Sequence, residues 1–376
     1  MRFRKFLFIA PLIVCMFMFS PAIAQQWGDF KYTESDDSIT IIKYTGSGGA
    51  AELPSTIDSK PVVRIGRDAF QYSYGLTNLT IPSSVTSIGS GAFWGCAGLA
   101  SLTIPDSVTS IEAGAFAACT GLTSLTIPGS VMSIGSGAFC LCTRLANIDV
   151  DPINPIYSSQ AGVLYNKATT MLMQYPAGRY GGFTIPGSVT GIGDYAFRNC
   201  AGLTGVTIPS SVKKIGYGAF SYCTGLASIT IAEGVTSILG AVFYGCAGLT
   251  SAYFLGNAPE MGAEVFNDCA NDFTVYYTAG STGFTTPSWH GYPTSPSGGR
   301  PCPAKIVLGK DNPNLEKLRA FRDGPLARSE AGLRITQIYY NNVGSINAAL
   351  DSSPALRAVA RMVLETIVPL VGKNLN

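Results

Sequence analysis

The chain has 376 residues and a mass of 39.5 kDa, a length that fits two to three domains. Hydrophobic residues make up 47% and charged residues 13%, with a formal net charge of +2, so a charged disordered chain and a coiled coil are both excluded. A single histidine makes most hydrolytic triads and zinc sites unsuitable interpretations.

Residues 1–24 have the pattern of a secretory signal peptide. Arg2, Arg4 and Lys5 precede an apolar stretch from Phe6 to Phe19, and Ala22-Ile23-Ala24 supplies small residues for cleavage. The alternative is a retained anchor, but the apolar run is shorter than the ~20 residues a membrane span needs. We predict cleavage after Ala24 and export. The mature chain then holds 22 basic and 23 acidic residues, a near-neutral balance that argues against a nucleic-acid partner.

The middle of the chain repeats with a period of 23 residues. An Ala-Phe or Val-Phe pair recurs eight times, and cysteines follow the same spacing in two runs. The phenylalanines are Phe70, Phe93, Phe116, Phe139, Phe197, Phe220, Phe243 and Phe266. The cysteines are Cys96, Cys119 and Cys142, then Cys200, Cys223, Cys246 and Cys269. Such phasing predicts a stack of structural repeats.

Each repeat has apolar spacings that predict its local structure. Leu-x-x-Leu-x-Ile predicts a short strand, which a following proline ends. Val-x-x-Ile-Gly predicts a second extended segment and a turn. Ala-Phe-x-x-Cys predicts one helical turn held by packing. One repeat has a single apolar side, so stacking is needed to bury a continuous core.

The repeat pattern resembles the BspA-like leucine-rich repeats of bacterial surface proteins. Residues 122–144, LTSLTIPGSVMSIGSGAFCLCTR, show the pattern, and the resemblance covers about residues 30–293. Residues 39–66 resemble the family's first strand and repeat, and residues 275–294 its closing segment. The 58 residues from Phe139 to Phe197 hold a segment similar to the family's hairpin-bearing repeat. The resemblance implies an α/β, β-rich solenoid over residues 25–293 that is secreted or displayed on the surface, binds ligands, often as an adhesin, and has no catalytic activity and no cofactor.

One column of outward strand positions forms the candidate binding face. It comprises Thr80, Thr103, Thr126, Asp149, Thr184, Thr207, Thr230, Tyr253 and Tyr276. Threonine also favours exposed strands for purely structural reasons. The functional interpretation is a shallow surface for a protein or glycan, with Tyr253 and Tyr276 as anchors. A second aromatic set near the turns is interpreted as covering them: Tyr72, Trp94, Tyr195, Tyr217, Tyr222 and Tyr244.

The cysteine column is interpreted as a buried, reduced ladder, because stacked side chains run parallel and cysteine packs as a small apolar residue. Cys140 falls outside the column, and we expect it to be a reactive thiol, as we do Cys302 near the C-terminus. No metal site is expected from the ladder. Asp149 and Asp151 could hold calcium, although such carboxylates also occur as solvated turn residues.

The C-terminal part differs in composition from the repeats. Residues 294–304 read as a Pro-, Ser- and Gly-rich linker, and residues 305–376 as a small α-helical module. Residues 301–376 hold 10 basic and 6 acidic groups, against 12 and 17 in residues 25–300. Residues 318–323, LRAFRD, resemble a cysteine-box module found on exported bacterial proteins, although the run at Cys302 departs from its usual opening. The resemblance implies sorting or anchoring. The alternatives are a helical bundle that caps or dimerises the solenoid, and peripheral contact with anionic lipid.

The sequence therefore predicts an exported, non-enzymatic protein of the bacterial surface or exterior. Its expected role is adhesin-like binding of a protein or glycan through the strand face. A structural envelope scaffold or spacer is the first alternative. A targeting module for a carbohydrate-active partner is the second.

Overall fold

The protein is described by a computed structural model in which residues 24–297 are placed. Within this range the chain forms a β-solenoid of about 11 turns with repeats of about 23 residues. The signal segment before Ala24, the module at residues 305–376 and Cys302 lie outside the described residues.

Most repeats contribute one face strand and one short strand, but the segment around Thr103, residues 99–105, forms no face strand. The face strands are β4 (Gly49–Glu52), β7 (Leu76–Thr80), β10 (Ser124–Ile127), β12 (Asn147–Val150), β16 (Gly181–Thr184), β18 (Leu203–Thr207), β20 (Ser228–Ile231), β22 (Ser251–Phe254), β24 (Thr274–Thr278) and β26 (Tyr292–Ser297). The short strands are β8 (Ser87–Ile88), β9 (Ser110–Ile111), β11 (Ser133–Ile134), β17 (Gly191–Ile192), β19 (Lys214–Ile215), β21 (Ser237–Ile238) and β23 (Glu260–Met261). The face strands pair in parallel in three groups, β4 with β7, β10 with β12, and the six from β16 to β26, and the short strands pair in parallel on each side of the inserted hairpin, which confirms the predicted stacking.

The remaining strands open, interrupt and close the solenoid. They are β1 (Gln25–Trp27), β2 (Phe30–Ser35), β3 (Ser38–Tyr44), β5 (Thr56–Ile57), β6 (Lys60–Ile65), β13 (Tyr157–Gln160), β14 (Val163–Asn166), β15 (Met171–Gln174) and β25 (Ser288–Trp289). At the closing end, β26 pairs with β24 and continues to Ser297, four residues beyond the predicted end of the solenoid at 293.

The Ala-Phe segments are not helical, and the predicted helical turn is wrong. Every fourth residue there has a positive φ, as at Gly91 (61°) and Gly95 (75°), which an α-helix cannot contain. The N–H groups of Gly91, Phe93 and Gly95 donate to carbonyls of the next turn at 2.7–3.1 Å. Since these donors act between turns, the segment is a series of tight turns. The equivalent left-handed pairs are Asp68 and Tyr72, Gly114 and Ala118, Gly137 and Leu141, Tyr195 and Asn199, Gly218 and Tyr222, Ala241 and Gly245, and Glu264 and Asp268.

The core is a ladder of stacked phenylalanine rings flanked by aliphatic columns. Phe93 and Phe116, for example, have ring centroids 5.2 Å apart and an interplanar angle of 5°. The buried residues form two clusters, one ending at Leu164 and one beginning at Val163. The core is therefore continuous on each side of the inserted hairpin, and the two clusters meet at that hairpin.

The seven cysteines of the column form no disulfide bonds, and all are buried or nearly so, as predicted. The structure adds a reason for cysteine at this position. The thiol of Cys119 donates to the carbonyl oxygen of Phe93, 26 residues earlier, at 3.1 Å. The thiols of Cys96, Cys142, Cys223 and Cys246 make the same contact at 3.0–3.1 Å. Cysteine thus supplies both apolar volume and a weak donor to the turn before it.

The seam, defined here as residues 151–175, is where the repeat is interrupted. Its strands β13, β14 and β15 form an antiparallel hairpin unit, and β15 pairs in parallel with β17 to restart the stack. This confirms the predicted hairpin-bearing repeat. Asn154 is completely buried and fastens the seam to the preceding turn through its amide group.

Candidate functional site

Apart from Thr103, which lies in no strand, the face strands present the predicted binding column in register. Thr126 pairs with Asp149, Thr207 pairs with Thr230, and Thr230 pairs with Tyr253. Neighbouring residues on each strand, such as Ile229 in β20, point into the core. Because side chains alternate along a strand, this inward set forces the column outward.

The seam divides this column into two parts. Thr80, Thr103, Thr126, Asp149 and Thr184 are exposed, and only Thr184 of these belongs to the second part. The second part continues through Thr207, Thr230, Tyr253 and Tyr276, which are half-buried, in one six-stranded parallel arrangement from β16 to β26. The structure therefore brings together the C-terminal members, leaves Thr80, Thr126 and Asp149 on two separate strand pairs, and places Thr103 outside any strand.

Tyr253 and Tyr276 form the most distinctive feature of the face. Their rings stack with centroids 5.0 Å apart and an interplanar angle of 16°. Parallel pairing of β22 with β24 fixes this stack, because the two residues are direct partners. Burial raises the pKa of the Tyr253 hydroxyl, so that group remains a neutral donor and acceptor at physiological pH. The pair offers two flat rings with polar tips.

Small hydroxyl-bearing residues surround the tyrosine pair. Ser228 pairs with Ser251 and Ser251 with Thr274 in the column beside the rings, and of these three Ser251 is buried. Ser295 pairs with Tyr276 and extends the face by one strand. Sequence reasoning missed Ser295 because the Pro and Ser composition after position 293 favoured a linker.

The last part of the solenoid, residues 215–297, carries charge of one sign. Residues 215–297 contain no lysine or arginine and five carboxylates. The carboxylates are Glu233, Glu260, Glu264, Asp268 and Asp272. A surface of this charge favours a neutral or cationic partner over a polyanion.

The second aromatic set packs over the turns. A Cβ added at Gly95 would lie 2.6 Å from the ring of Tyr72, and the rings of Trp94, Tyr195, Tyr217 and Tyr222 likewise cover a glycine of the next turn. The guanidinium of Arg198 lies 5.2 Å from the Tyr195 ring centroid and 5.7 Å from that of Tyr222. These contacts support the interpretation that the set covers the turns.

The environment of Cys140 argues against the expected reactivity. The side chain is 4% exposed, and burial raises its pKa to about 11. The thiolate is the reactive form, and at neutral pH this thiol is almost entirely protonated. Although Cys140 lies outside the cysteine column, its side chain is buried because the adjoining turn covers it. Gly137 and Arg198 both lie close to the thiol.

The thiols of the solenoid are expected to be unreactive while the protein is folded. In a Cys302→Ala variant of the mature chain, none of the eight described thiols should react with DTNB at about pH 8 until denaturant is added. The physical reason is burial, which raises the pKa of Cys96 and of Cys142 to about 12. A rapid stoichiometric reaction of one thiol before unfolding would contradict this, and a Cys140→Ala variant would show whether Cys140 is its source.

The two aspartates considered for calcium have structural partners. Asp149 accepts a hydrogen bond from the side-chain amide of Asn147, and Asp151 Oδ1 accepts one from the Ile153 N–H at 3.0 Å. Across residues 24–297, no group of three or more metal-ligating side chains comes together.

Within residues 24–297, no helix is long and apolar enough to cross a membrane.

Comparison with known proteins defines the class of this solenoid. A sequence profile described as BspA type leucine rich repeat region matches six copies, at residues 60–169 and 180–284. The match spans more than half of the chain, so the protein belongs to the BspA-type leucine-rich repeat family of bacterial surface proteins. Members of this family are typically non-catalytic. No curated protein matches the chain.

Several solved structures are similar to the chain. The pneumococcal vaccine antigen PcpA is 18% identical over 69% of this chain and 94% of its own, with a TM-score of 0.47. A leucine-rich repeat protein from Eubacterium ventriosum is 25% identical over 67% of this chain and 77% of its own, with a TM-score of 0.43. A leucine-rich cell surface protein from Faecalibacterium prausnitzii is 25% identical over 69% and 96%, with a TM-score of 0.34.

Proposed function

We propose that this protein is an exported, non-enzymatic binding protein of the bacterial surface that recognises a protein or glycan through its strand face. The observation that carries the proposal is the stacked pair Tyr253 and Tyr276, set in register within a row of hydroxyl-bearing residues. Tyrosine is among the residues that supply most of the binding energy at protein interfaces. Flat rings beside hydroxyl groups also suit the face of a sugar.

The support for a rigid binding surface comes from the backbone. Thr230, Tyr253 and Tyr276 lie on adjacent parallel strands whose inward neighbours are buried core residues. Ligand binding to such a face needs little reordering of the protein, which lowers its entropic cost. The negative charge of residues 215–297 directs the proposal toward a neutral or cationic partner and away from nucleic acid.

The test is binding of the mature protein to an array of glycans and extracellular-matrix proteins. The Tyr253→Ala/Tyr276→Ala variant should lose at least about tenfold in affinity for the ligand found, because both anchors are removed. Tyr74→Ala is the matched control, since Tyr74 is 63% exposed and lies in an early turn. Unchanged thermal unfolding must accompany the loss. Equal binding by the double variant and wild type would place the ligand elsewhere.

Two alternatives remain as proposals with different outcomes. A structural scaffold or spacer would bind nothing on the array, and its threonine rows would serve only strand stability. A targeting module would bind one class of polysaccharide and bring a carbohydrate-active partner to it. Cell fractionation with mass spectrometry of both chain ends tests export, with cleavage after Ala24 expected. The same experiment shows whether residues 305–376 are retained, removed or associated with the membrane.

A further inference from the structure

A cavity of about 330 Å³ lies at the seam, away from the proposed binding face. One wall is the turn at residues 134–139, and the other is formed by β15 and the turn at residues 191–194. The phenylalanine ladder is interrupted at this point: Phe139 stacks on Phe116, and the next stack begins with Tyr175 on Phe197. The cavity therefore occupies the place where one turn does not stack directly on the next.

The interruption leaves backbone donors unused. In six other turns, three N–H groups each donate to carbonyls of the following turn, as those of Gly114, Phe116 and Ala118 do at 2.8–3.1 Å. The equivalent N–H groups of Gly137 and Phe139 have no acceptor within residues 24–297. Both residues line the cavity. By equivalence with the other turns, their N–H groups point toward the next turn, and thus into the cavity.

The turn at the closing end of the solenoid shows how such donors are satisfied elsewhere. Phe266 occupies the same position in the last turn as Phe139 does in the turn before the seam. Its N–H donates to the hydroxyl oxygen of Tyr292 at 3.2 Å, a side chain of the closing segment. At the seam, Tyr157 accepts in a similar way, but from the N–H of Ile134, and it does not reach Phe139. The donors in the cavity are thus available to another acceptor.

The other walls of the cavity are apolar or consist of bare backbone. Ile134, Leu164, Met171 and Met173 supply hydrocarbon and thioether surface, and several glycines supply flat walls. Methionine adapts its shape to irregular apolar partners. The volume is at the lower end of the range of ~300–1,000 Å³ for small-molecule sites, so it suits a small ligand.

Two charged residues lie at the cavity. Lys214 contributes a cation, and Asp194 a carboxylate. Asp194 Oδ1 already accepts a hydrogen bond from the Tyr217 N–H at 2.8 Å, which offsets part of its charge. Gln174 adds no donor, because its Nε2 group donates to the carbonyls of Tyr175 and Ala196, each at 3.1 Å. The donors left for a ligand are two backbone N–H groups and an ammonium group, which together favour a carboxylate.

We infer that the seam cavity binds a small apolar carboxylic acid. The carboxylate accepts hydrogen bonds from the N–H groups of Gly137 and Phe139 and faces Lys214, and the apolar part contacts Met171 and Met173. This site is separate from the strand face, so its ligand is independent of the surface partner proposed above.

The test is titration of the mature full-length protein with octanoate, followed by calorimetry and by amide NMR. Octanoate is expected to shift the amide resonances of Gly137 and Phe139, and octan-1-ol, which lacks the carboxylate, to bind at least about tenfold more weakly. Met171→Trp fills the cavity and should weaken octanoate binding by at least about tenfold. Met132→Trp is the matched control, since Met132 is exposed and does not line the cavity. Lys214→Gln should weaken binding about 2- to 5-fold.

Three results would overturn the inference. The first is octanoate that leaves the Gly137 and Phe139 amides unshifted. The second is equal affinity for octanoate and octan-1-ol, which would exclude carboxylate recognition. The third is unchanged binding by a correctly folded Met171→Trp variant. If that variant does not fold, the amide shifts of Gly137 and Phe139 in the wild-type protein decide whether octanoate binds in the cavity. Surface-ligand binding should be unaffected by octanoate, which separates failure here from failure of the proposed function.

Discussion

Replacing Gly121 with alanine is expected to lower the free energy of unfolding by about 3 kcal/mol. A Cβ at this position would lie 2.4 Å from the carbonyl oxygen of Ala97 and 3.0 Å from that of Leu99. Both atoms belong to the backbone of the preceding turn, which is hydrogen-bonded to its neighbours and cannot withdraw. Gly121 does not have a positive φ, so the cost is steric. Equilibrium unfolding in urea measures it.

Gly187→Ala is the matched control for that experiment. No atom lies within 4 Å of a Cβ added at Gly187, and its φ is also not positive. We expect a change below about 0.5 kcal/mol, typical of surface substitutions. If the two variants unfold at the same urea concentration, close backbone approach is not what requires glycine at position 121. The same close approach to a backbone oxygen, at 2.4–2.5 Å, recurs at Gly98, Gly225 and Gly248.

The Asn154→Ala substitution is expected to cost about 3 kcal/mol, because it leaves several buried backbone groups without partners. Asn154 Nδ2 donates to the carbonyls of Pro128 and Val131 at 2.8 and 2.9 Å. Its Oδ1 accepts from the N–H groups of Ile156 and Tyr157 at 2.9 and 2.8 Å. Calorimetric or urea unfolding gives the stability change. Hydrogen exchange should be faster at the amides of Ile156 and Tyr157.

Asn78→Ala provides the comparison for Asn154. Asn78 is exposed on a face strand, and we expect its substitution to change stability by less than about 0.5 kcal/mol. An Asn154→Ala variant as stable as this control would show that the seam is not fastened to the solenoid through Asn154. Because repeats interact mainly with their neighbours, the loss should concentrate at the junction of the two cores.

The sequence alone predicts most of the solenoid, because its structure depends on nearest-neighbour stacking. A period of 23 residues places each leucine, phenylalanine and cysteine above its equivalent, so one repeat defines the others. The strands around Leu76 and Leu203 and the buried cysteine column follow from this pattern, whereas the hairpin after Asp149 is what the family resemblance implies. The outward threonine column follows from strand alternation in the same way.

Local helix propensity gave a wrong prediction at the Ala-Phe turns. Ala-Phe-x-x-Cys favours a helical turn, but the backbone there alternates between right- and left-handed residues. Glycine at positions 91 and 95 indicates the left-handed backbone. In a later repeat the same conformation occurs at Tyr195 and Asn199, residue types that do not indicate it. In six turns this conformation directs N–H groups to carbonyls of the next turn, and it is kept at Gly137 and Leu141, where such hydrogen bonds are absent within residues 24–297. The burial of Cys140 was not predicted for a related reason, because it depends on a neighbouring turn.

The sequence by itself therefore determined the repeat, its strands and its core columns, since each depends on a regular spacing along one chain. Only the tertiary structure decided what happens where that regularity is broken. It divided the strand face at the seam, stacked Tyr253 on Tyr276, and left the N–H groups of Gly137 and Phe139 facing a cavity. The physical reason is that a donor's partner lies in the next turn, and its presence there depends on how the two turns are placed in space.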